Sequence, residues 1–426
     1  MTGATGPAIL SGLSDDALLD LVQRQTLAYF WDFAHPVSGL ARERSNPVGG
    51  YDYRETVTSG GSGFGIMALL AGAARGFLAR PAVLERLAQM VEFLGRAQRH
   101  HGVFPHFLHG STGATIPFSE QDDGGDLVET AFLIAGLLCA RQYFSGAAPA
   151  ETRLRAAIDA LWHAVEWDWY RRDGRDVLYW HWSPRHGWAM DHAITGWNEC
   201  LIAYVLAAAS PTHPVPPSVY HRGWTASPAF RNGRTYHGIE LPLGPPQGGP
   251  LFFAHYSFLG LDPRGLRDGY ADYWAQNRAH TLINRAHCIA NPGGFAGYGP
   301  DCWGLTACDG DAGYGAFSPE NDRGVIAPTA ALGSVPYTPR ESMAALRHFY
   351  EDLGGEIWGG YGFADAFNRA RGWVAQSHLA IDQGPIVVMI ENHRSGLLWD
   401  MFMSCPEVGA GLRRLGFESP RLAVTS

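Results

Sequence analysis

The chain has 426 residues, of which 46% are hydrophobic and 17% charged, and a net charge of −9. This is the balance of a globular protein with a sizeable core. All 32 basic residues are arginine, and no basic run is long enough to follow a phosphate backbone, so we expect no nucleic-acid partner. The absence of lysine excludes Schiff-base chemistry and a P-loop lysine. No apolar run reaches membrane-spanning length, so we expect no membrane partner.

The first thirteen residues contain no basic region followed by an apolar stretch, as a secretory leader would. We therefore expect a periplasmic or secreted protein if a signal peptide has been removed from the chain, and a cytoplasmic one otherwise. The six cysteines lack CxxC spacing, and several lie in apolar runs. Buried thiols are expected rather than a zinc site or a disulfide framework.

Helical periodicity dominates the chain. Ser14 is placed to cap a helix that runs to about residue 33, just before Pro36. Further helical patterns lie at roughly 63–79, 81–98, 125–145, 151–168, 196–209, 265–281, 339–353 and 381–392, with shorter ones at 325–333 and 397–403. Strand-like alternation is limited to short pieces near 176–183 and 236–241, so an all-α fold is predicted.

The helices follow one another in pairs, and the connectors between them are long and rich in Gly and Pro. The longest connectors lie at 99–124, 210–250 and 291–324. Connectors of this length in a compact domain are usually functional. Helix pairs with aromatic and acidic loops at one end predict an α/α toroid around a central cleft. No low-complexity linker divides the chain, so we expect one domain over 15–415, with a flexible N-terminus (1–14) and a C-terminal tail (416–426).

Acidic residues gather around a Gly-Gly pair in the stretch SEQDDGGDLVETAF. Asp122, Asp126 and Glu129 share one face if the helix begins near Asp122, whereas a later start leaves Asp122 on the loop. Acids in a first turn complement the helix dipole by roughly 0.3–1 kcal/mol each, which accounts for Asp126 and Glu129. It does not account for Glu120, Asp122 and Asp123, whose mutual repulsion indicates a functional role for at least one of them.

The same segment spells DDxxD, the magnesium-diphosphate motif of all-α terpene synthases. In those enzymes it lies inside a helix, where each Gly costs roughly 1 kcal/mol. Their second metal motif, NDxxSxxxE, also fails here: Asn321 and Asp322 are followed by Val325 and Thr329 at the required Ser/Thr and Glu positions. No metal site is predicted.

Three tryptophans lead along the chain to one glutamate in the motifs YWHWSP, GW and GWNECLI. Trp180, Trp182 and Trp188 are suited to a sugar-binding wall, since pyranose faces stack on aromatic rings. Glu199 precedes an apolar helix, where desolvation would raise its pKa and suit a general acid, whereas the helix N-terminus would lower it. A helix-capping role for Glu199 stays open.

Three more motifs, LFFAHYSFLG, CWGLTACDG and AIDQGP, carry polar and aromatic groups of the same kind. Their candidates for sugar contact are His255, Tyr256, Trp303, Asp309, Asp382 and Gln383. A histidine on an apolar run such as His255 is more often a core residue than a catalyst. Asp382 stands at a helix start and could equally be a cap.

Together these segments resemble the bacterial glucoamylase-like family, whose characterised members include endo-β-1,2-glucanases (glycoside hydrolase family 144). The resemblance spans roughly 15–415. It rests on FSEQDDGGDLVETAFLIAGLL, LYWHWSPRHGW, GWNECLIAYVLAAASP, LFFAHYSFLGLDPRGLRD, CWGLTACDG and AIDQGPIVVMIENHRSGLLW. It implies a single (α/α)6 barrel that hydrolyses β-1,2-glucan with inversion and without a cofactor or metal. Cys308 stands where the family pattern has Ser, outside the proposed chemistry.

On this sequence the resemblance makes Glu199 the candidate acid, and Asp122 or Asp126 the group that orients or deprotonates water. Inversion requires about 6.5–9.5 Å between the two carboxyl groups; Asp309 or Asp382 would be the base if that range is not met. We expect a monomer whose partner is β-1,2-glucan or a sophoro-oligosaccharide. The alternatives are an exo-acting or transglycosylating enzyme on the same glucan, and a catalytically silent glycan-binding protein.

Overall fold

The computed structural model describes residues 8–47 and 50–422. Within them the helices are α1 (Asp15–Trp31), α2 (Ser59–Ala74), α3 (Arg80–Arg96), α4 (Leu127–Tyr143), α5 (Pro149–His163), α6 (Leu201–Ala209), α7 (Tyr273–Ala290), α8 (Pro328–Leu332), α9 (Pro339–Arg347), α10 (Gly354–Ile357), α11 (Ala380–Arg394), α12 (Leu397–Met403) and α13 (Pro406–Arg414). Short 3₁₀ or π turns lie at Trp169–Arg171, Val219–Trp224, Pro246–Gly248, Leu251–Ala254, Tyr256–Leu259, His348–Asp352 and Pro420–Leu422. The fold is all-α, as the periodicity predicts.

Short antiparallel strands shape the loops between the helices. They are β1 (Thr56–Thr58), β2 (Phe107–His109), β3 (Thr115–Ile116), β4 (Gly125–Asp126), β5 (His181–Trp182), β6 (Arg231–Tyr236), β7 (Ile239–Leu243), β8 (Ala307–Cys308), β9 (Gly315–Ala316), β10 (Trp358–Gly359), β11 (Gly362–Phe363), β12 (Phe367–Asn368) and β13 (Trp373–Val374). Strands β1, β2 and β3 form one sheet in that order, and the others pair two by two in chain order. The sequence predicts only two of these regions, because a two-residue strand has no visible alternation.

Two kinds of helix make up the α/α toroid. Helices α2, α4, α6 and α11 are buried on nearly every side, whereas α3 and α5 bury one apolar stripe. The first kind forms the inner wall and the second the outer layer. Part of the core can close tightly because glycines face each other: a Cβ on Gly63 would lie 2.2 Å from the Phe132 carbonyl oxygen. The glycine-rich GGSGFG run is therefore a helix-packing surface.

Two helix starts show how the sequence sets local structure. Ser14 caps α1 as predicted, accepting a hydrogen bond from the Ala17 N–H at 3.2 Å. Helix α4 begins late, at Leu127, and Asp126 is its N-cap, accepting from the Val128 and Glu129 N–H groups at 3.0 and 2.9 Å. Asp122 therefore lies on the loop before the helix.

Residues on both sides of the predicted 15–415 domain pack against it. Residues 1–7 and 423–426 lie outside the described residues, but Ile9 packs against Gly354 within the region predicted as a flexible N-terminus. In the predicted C-terminal tail, Phe417 and Leu422 are buried in the core. Helix α13 is not among the predicted helices, since its two glycines and two arginines weaken the apolar pattern.

The six cysteines are free and buried, as expected for structural thiols. Among the described residues, no helix has both the length and the apolar character needed to cross a bilayer.

Candidate active site

A cavity of about 370 Å³ opens between the inner helices and the strand-shaped loops. Carboxyl groups, one histidine and one arginine share its wall with aromatic rings. The lining residues are Glu43, Arg44, Tyr51, Thr58, His106, Phe107, Phe118, Glu129, Phe132, Trp180, Glu199, Phe252, Tyr256, Ala307, Tyr314, Leu379 and Ile381. Flat apolar surface with a few charged groups suits a sugar ring, whose faces are apolar and whose rim is polar.

Glu199 lines this cavity from the turn just before α6. It is 9% exposed, and its backbone carbonyl accepts a hydrogen bond from the Ser257 hydroxyl. Burial raises the pKa of Glu199 to about 7, helped by the negative charges of Glu129 and Asp126. Of the two opposing effects that the sequence left open, desolvation prevails over the helix N-terminus. A substantial fraction of this carboxyl is therefore protonated at neutral pH.

Asp126 is fully buried next to the cavity wall and in the opposite charge state. Its Oδ1 caps α4, and its Oδ2 lies 3.0 Å from Nδ1 of His106. Burial alone would raise the pKa of Asp126, but the His106 hydrogen bond and the positive charges of His181 and His106 hold it below the ordinary value. Asp126 therefore stays ionised.

His106 is the cation of this group and lines the cavity itself. Burial opposes its protonation, but the charge of Glu129 and the hydrogen bond to Asp126 prevail and raise the pKa of His106 to about 9. The imidazolium is thus held between two acids. Phe118 stacks over its ring, with 4.4 Å between the centroids.

Asp122 lies on the loop before β4, buried and beside His181. Its Oδ2 is 3.2 Å from Nδ1 of His181, which is also 3.8 Å from Oδ2 of Asp126. The β4–β5 ladder fixes this arrangement, since Asp126 pairs with His181 in register. Neither Asp122 nor Asp126 is among the residues that line the cavity; the group reaches the cavity through His106.

Glu129 does more than complement the helix dipole, so the dipole explanation of this residue is incomplete. Its carboxylate lines the cavity and accepts hydrogen bonds from the Gly60 N–H at 2.8 Å and the Thr58 hydroxyl at 3.4 Å. Burial raises its pKa, although the charge of His106 opposes the shift. Glu129 is thus a second cavity carboxyl close to Glu199.

A second acidic cluster surrounds Arg44 on another part of the wall. The Arg44 guanidinium donates to both carboxylate oxygens of Glu43, at 2.7 and 3.1 Å, and to Asp309 at 3.2 and 3.3 Å. The Ser377 hydroxyl also donates to Asp309. Asp309 is therefore occupied by Arg44 and Ser377, and Glu43 and Arg44 are the members of this cluster that line the cavity.

Asp365 and Asp382 lie deeper in the same cluster without a cation of their own. Burial, followed by the charge of Asp309, raises the pKa of Asp365 to about 7. Burial and the charge of Asp365 raise the pKa of Asp382 well above its ordinary value. Both carboxyls therefore bind a proton more readily than an ordinary aspartate does, which makes each a poor general base. Gln383 is also buried and donates to the Phe363 carbonyl oxygen at 3.0 Å.

The aromatic candidates divide into two groups. Trp180 and Tyr256 line the cavity, whereas Trp182 and Trp188 pack around Trp169 outside its lining. Trp303 is fully buried and is not among the residues that line the cavity.

His255 likewise lies outside the cavity lining. Its side chain is 1% exposed and bonds to Ser334 at 2.8 Å, and burial lowers its pKa to about 3. It is a neutral core histidine. In both cases the motif lies beside the cavity, and the named side chain points into the core.

Several lining residues escaped prediction. His106 lies in the long 99–124 connector, which was predicted to be functional by its length alone. Glu43 and Arg44 line the cavity but lie in a stretch of the sequence without periodicity. The adjacent Glu-Arg pair is the one feature there that could have set them apart from ordinary loop residues.

Comparison with known proteins gives a consistent family. Residues 191–406 match the family model described as "Glycoamylase: Putative glucoamylase". An endo-beta-1,2-glucanase from Chitinophaga pinensis, solved as a sophorotriose and glucose complex, is 56% identical with a TM-score of 0.94, over 96% of this chain and 100% of that chain. A Bacteroides uniformis structure described as a putative glucoamylase is 59% identical with a TM-score of 0.94, over 97% of this chain and 100% of that chain.

A curated relative is named for exo rather than endo action and is longer than this chain. It is the "Exo beta-1,2-glucooligosaccharide sophorohydrolase (non-reducing end)" of Parabacteroides distasonis, 45% identical over 95% of this chain. The chain spans 58% of the length of that relative.

Proposed function

The chain belongs to the Glycoamylase family, and we propose that it is a glycoside hydrolase that cleaves linear β-1,2-glucan internally, with inversion, releasing short sophoro-oligosaccharides. The proposed substrate follows from the named relatives, which act on β-1,2-linked glucans. Internal cleavage is favoured because the endo-acting relative has the higher identity and is matched over its whole length.

The observation that supports the proposed chemistry is the difference in pKa between two neighbouring carboxyls, Glu199 and Asp126. Burial raises the pKa of Glu199 to about 7, whereas the histidines keep Asp126 ionised. Two acids whose environments push their pKa values apart are the arrangement that acid–base hydrolysis requires. Glu199 would protonate the leaving glycosidic oxygen, directly or through a substrate hydroxyl.

The water-activating role falls to Asp122 or Asp126. Asp126 is ionised, and both carboxylates face the imidazole of His181, so the pair can hold a water molecule on the side of the cavity marked by His106. Asp382 and Asp365 are poor alternatives because burial keeps them protonated. Asp309 is engaged by Arg44.

Substrate contact would come from two kinds of surface. Trp180, Phe252 and Tyr256 supply ring faces, and Glu43 with Arg44 supplies polar groups for sugar hydroxyls. Because the Arg44 guanidinium is fixed by Glu43 and Asp309, hydroxyls that bind there meet a rigid donor set.

The test is product analysis on a panel of β-1,2-, β-1,3- and α-linked glucans. An endo enzyme gives a ladder of sophoro-oligosaccharides from the earliest times and a rapid fall in mean chain length. NMR of the first products would show the inverted anomer. Turnover of another glucan but not of β-1,2-glucan would reject the proposal.

The exo relative motivates the second candidate, a sophorose-releasing enzyme. In that case sophorose would be the only early product, and mean chain length would fall slowly. Products longer than the substrate would instead indicate transglycosylation.

A further inference from the structure

Beside the cavity, two imidazoles and two carboxylates bring their donor atoms into one small volume. One ligand atom each from His106, Asp122 and Asp126 lies within 4.8 Å of the others. Nδ1 of His181 is 3.2 Å from Oδ2 of Asp122 and 3.8 Å from Oδ2 of Asp126, and Nδ1 of His106 is 3.0 Å from the same Asp126 oxygen. These three separations, 3.0, 3.2 and 3.8 Å, are close to the spacing of about 3.3 Å between the ligand atoms of a zinc ion bound at about 2.0–2.1 Å.

His181 supplies an independent indication of a ligand. Its side chain is 9% exposed, and among the described residues its Nδ1 makes no hydrogen bond of acceptable geometry, although oxygens of Asp122 and Asp126 lie 3.2 and 3.8 Å away. A buried imidazole nitrogen normally finds a partner, because leaving it unpaired costs free energy. A cation between the carboxylates would supply that partner.

The backbone preorganises the same atoms. Oδ1 of Asp126 is committed to the α4 cap, which leaves Oδ2 directed at both histidines. Asp126 and His181 are register partners in the β4–β5 ladder. The Asp126 N–H donates to the Phe104 carbonyl oxygen at 2.8 Å, and this bond ties the segment that carries His106 to β4. Three of the four candidate ligands, His106, Asp122 and Asp126, are thus already gathered, and the imidazole of His181 faces the two carboxylates.

From this geometry we propose that His106, Asp122, Asp126 and His181 form a zinc-class cation site, and that its occupation reversibly blocks the enzyme. Two imidazoles with two carboxylates suit Zn²⁺, whereas Mg²⁺ prefers six oxygens. Inhibition follows because a bound cation takes the lone pairs of both carboxylates offered for water activation. The inhibition rests on the proposed function, but the binding does not.

Binding is tested first, on tag-free, chelator-treated protein. Calorimetric titration with Zn²⁺ is expected to show one saturable site per chain that Mg²⁺ does not fill. Co²⁺ should give the intense visible bands of tetrahedral coordination, a readout that needs no variant. Asp122→Asn and His181→Gln should each weaken Zn²⁺ binding at least tenfold. His348→Gln, which removes a half-buried histidine 2.8 Å from Asp352, should leave Zn²⁺ binding unchanged.

Absence of a saturable site, or equal binding by both variants and the wild type, would overturn the proposal. Activity is measured separately: Zn²⁺ should slow β-1,2-glucan hydrolysis with the midpoint found by calorimetry, and EDTA should restore the rate. Full activity at saturating Zn²⁺ would overturn the inhibitory role. If the protein binds Zn²⁺ through these residues but hydrolyses no β-1,2-glucan, the proposed function is rejected and the proposed cation site is retained.

Discussion

Two buried acidic clusters flank the same cavity and behave in opposite ways. In the first, Asp126 lies beside two imidazoles, and its pKa falls below the ordinary value despite complete burial. In the second, Asp365 and Asp382 lie beside each other and near the carboxylate of Asp309, and their pKa values rise. Arg44, the cation that the described residues bring to this cluster, is bound to Glu43 and Asp309.

The difference shows that burial alone does not decide the charge of a carboxyl; the nearest cation does. The histidine cluster keeps negative charge beside Glu199, and that charge helps to keep Glu199 protonated. The aspartate cluster removes its charge by binding protons. The first arrangement is suited to catalysis, and the second to holding the wall together.

Glu199→Gln should give the largest effect, because it removes the proton that the leaving oxygen needs. We expect kcat on β-1,2-glucan to fall by a factor of about 10²–10⁴, with glucan binding and thermal unfolding nearly unchanged. Glu418→Gln, at an exposed residue paired with Arg267, is the control. Unaltered turnover in Glu199→Gln would remove Glu199 from the mechanism; no turnover even in the wild type, with binding intact, would favour a glycan-binding protein.

Asp126→Asn separates charge from capping. Asparagine caps a helix as well as aspartate does, so the cap itself should cost little, and the free energy of unfolding should fall by no more than the roughly 3–5 kcal/mol that breaking a buried ion pair costs. Activity should fall by about 10²-fold, since the anionic oxygen facing His106 is lost. Asp168→Asn is a matched control, because Asp168 also caps a short helix and lies 3.0 Å from a histidine, but at the surface. Equal activity losses in both variants would argue against a role for the buried charge.

His106→Gln tests the cation of the first cluster. Without it the pKa of Asp126 should rise, because burial is no longer offset. The acidic limb of the kcat/KM profile should therefore move to higher pH, with a loss of about tenfold at neutral pH. His109→Gln is the control variant, because His109 also lies beside a carboxylate, that of Glu55. A profile that keeps its acidic limb would show that His106 does not hold Asp126 ionised.

Asp365→Asn should give the smallest effect, and it appears in stability. The folded pKa of about 7 exceeds the unfolded value of about 3.9. Wild-type stability should thus decline as pH rises between these values, because the folded state binds the proton more tightly. The variant removes the contribution of Asp365 to this decline, and its amide oxygen can still accept a hydrogen bond from the Asp309 N–H. Urea unfolding at pH 4.5 and pH 8 should show that the free energy of unfolding of the variant, relative to that of the wild type, is higher at pH 8 than at pH 4.5. An equal difference at both pH values would contradict the raised pKa of Asp365.

Much of the fold could be predicted from the sequence, because caps and apolar periodicity are local. Ser14 and the start of α1 are examples, and Glu199 and the acidic segment could be identified because they lie in long, distinctive motifs. His106 could not, since its role depends on contacts with Asp126 and Glu129, which lie some twenty residues along the chain. The core positions of Trp303 and His255 could not be predicted, because a motif does not reveal which side chain points to the cavity and which to the core.

The central claim is that Glu199 carries a proton while its neighbour Asp126 is ionised, and that Glu199 is the catalytic acid. The pH dependence of the wild-type enzyme tests this directly. Initial rates on β-1,2-glucan would be measured as kcat/KM from pH 4 to pH 9. Because the acid must carry its proton, and its pKa is about 7, kcat/KM should fall tenfold per pH unit above about pH 7. A profile that stays flat to pH 9, or that falls already above pH 5, would contradict the assignment.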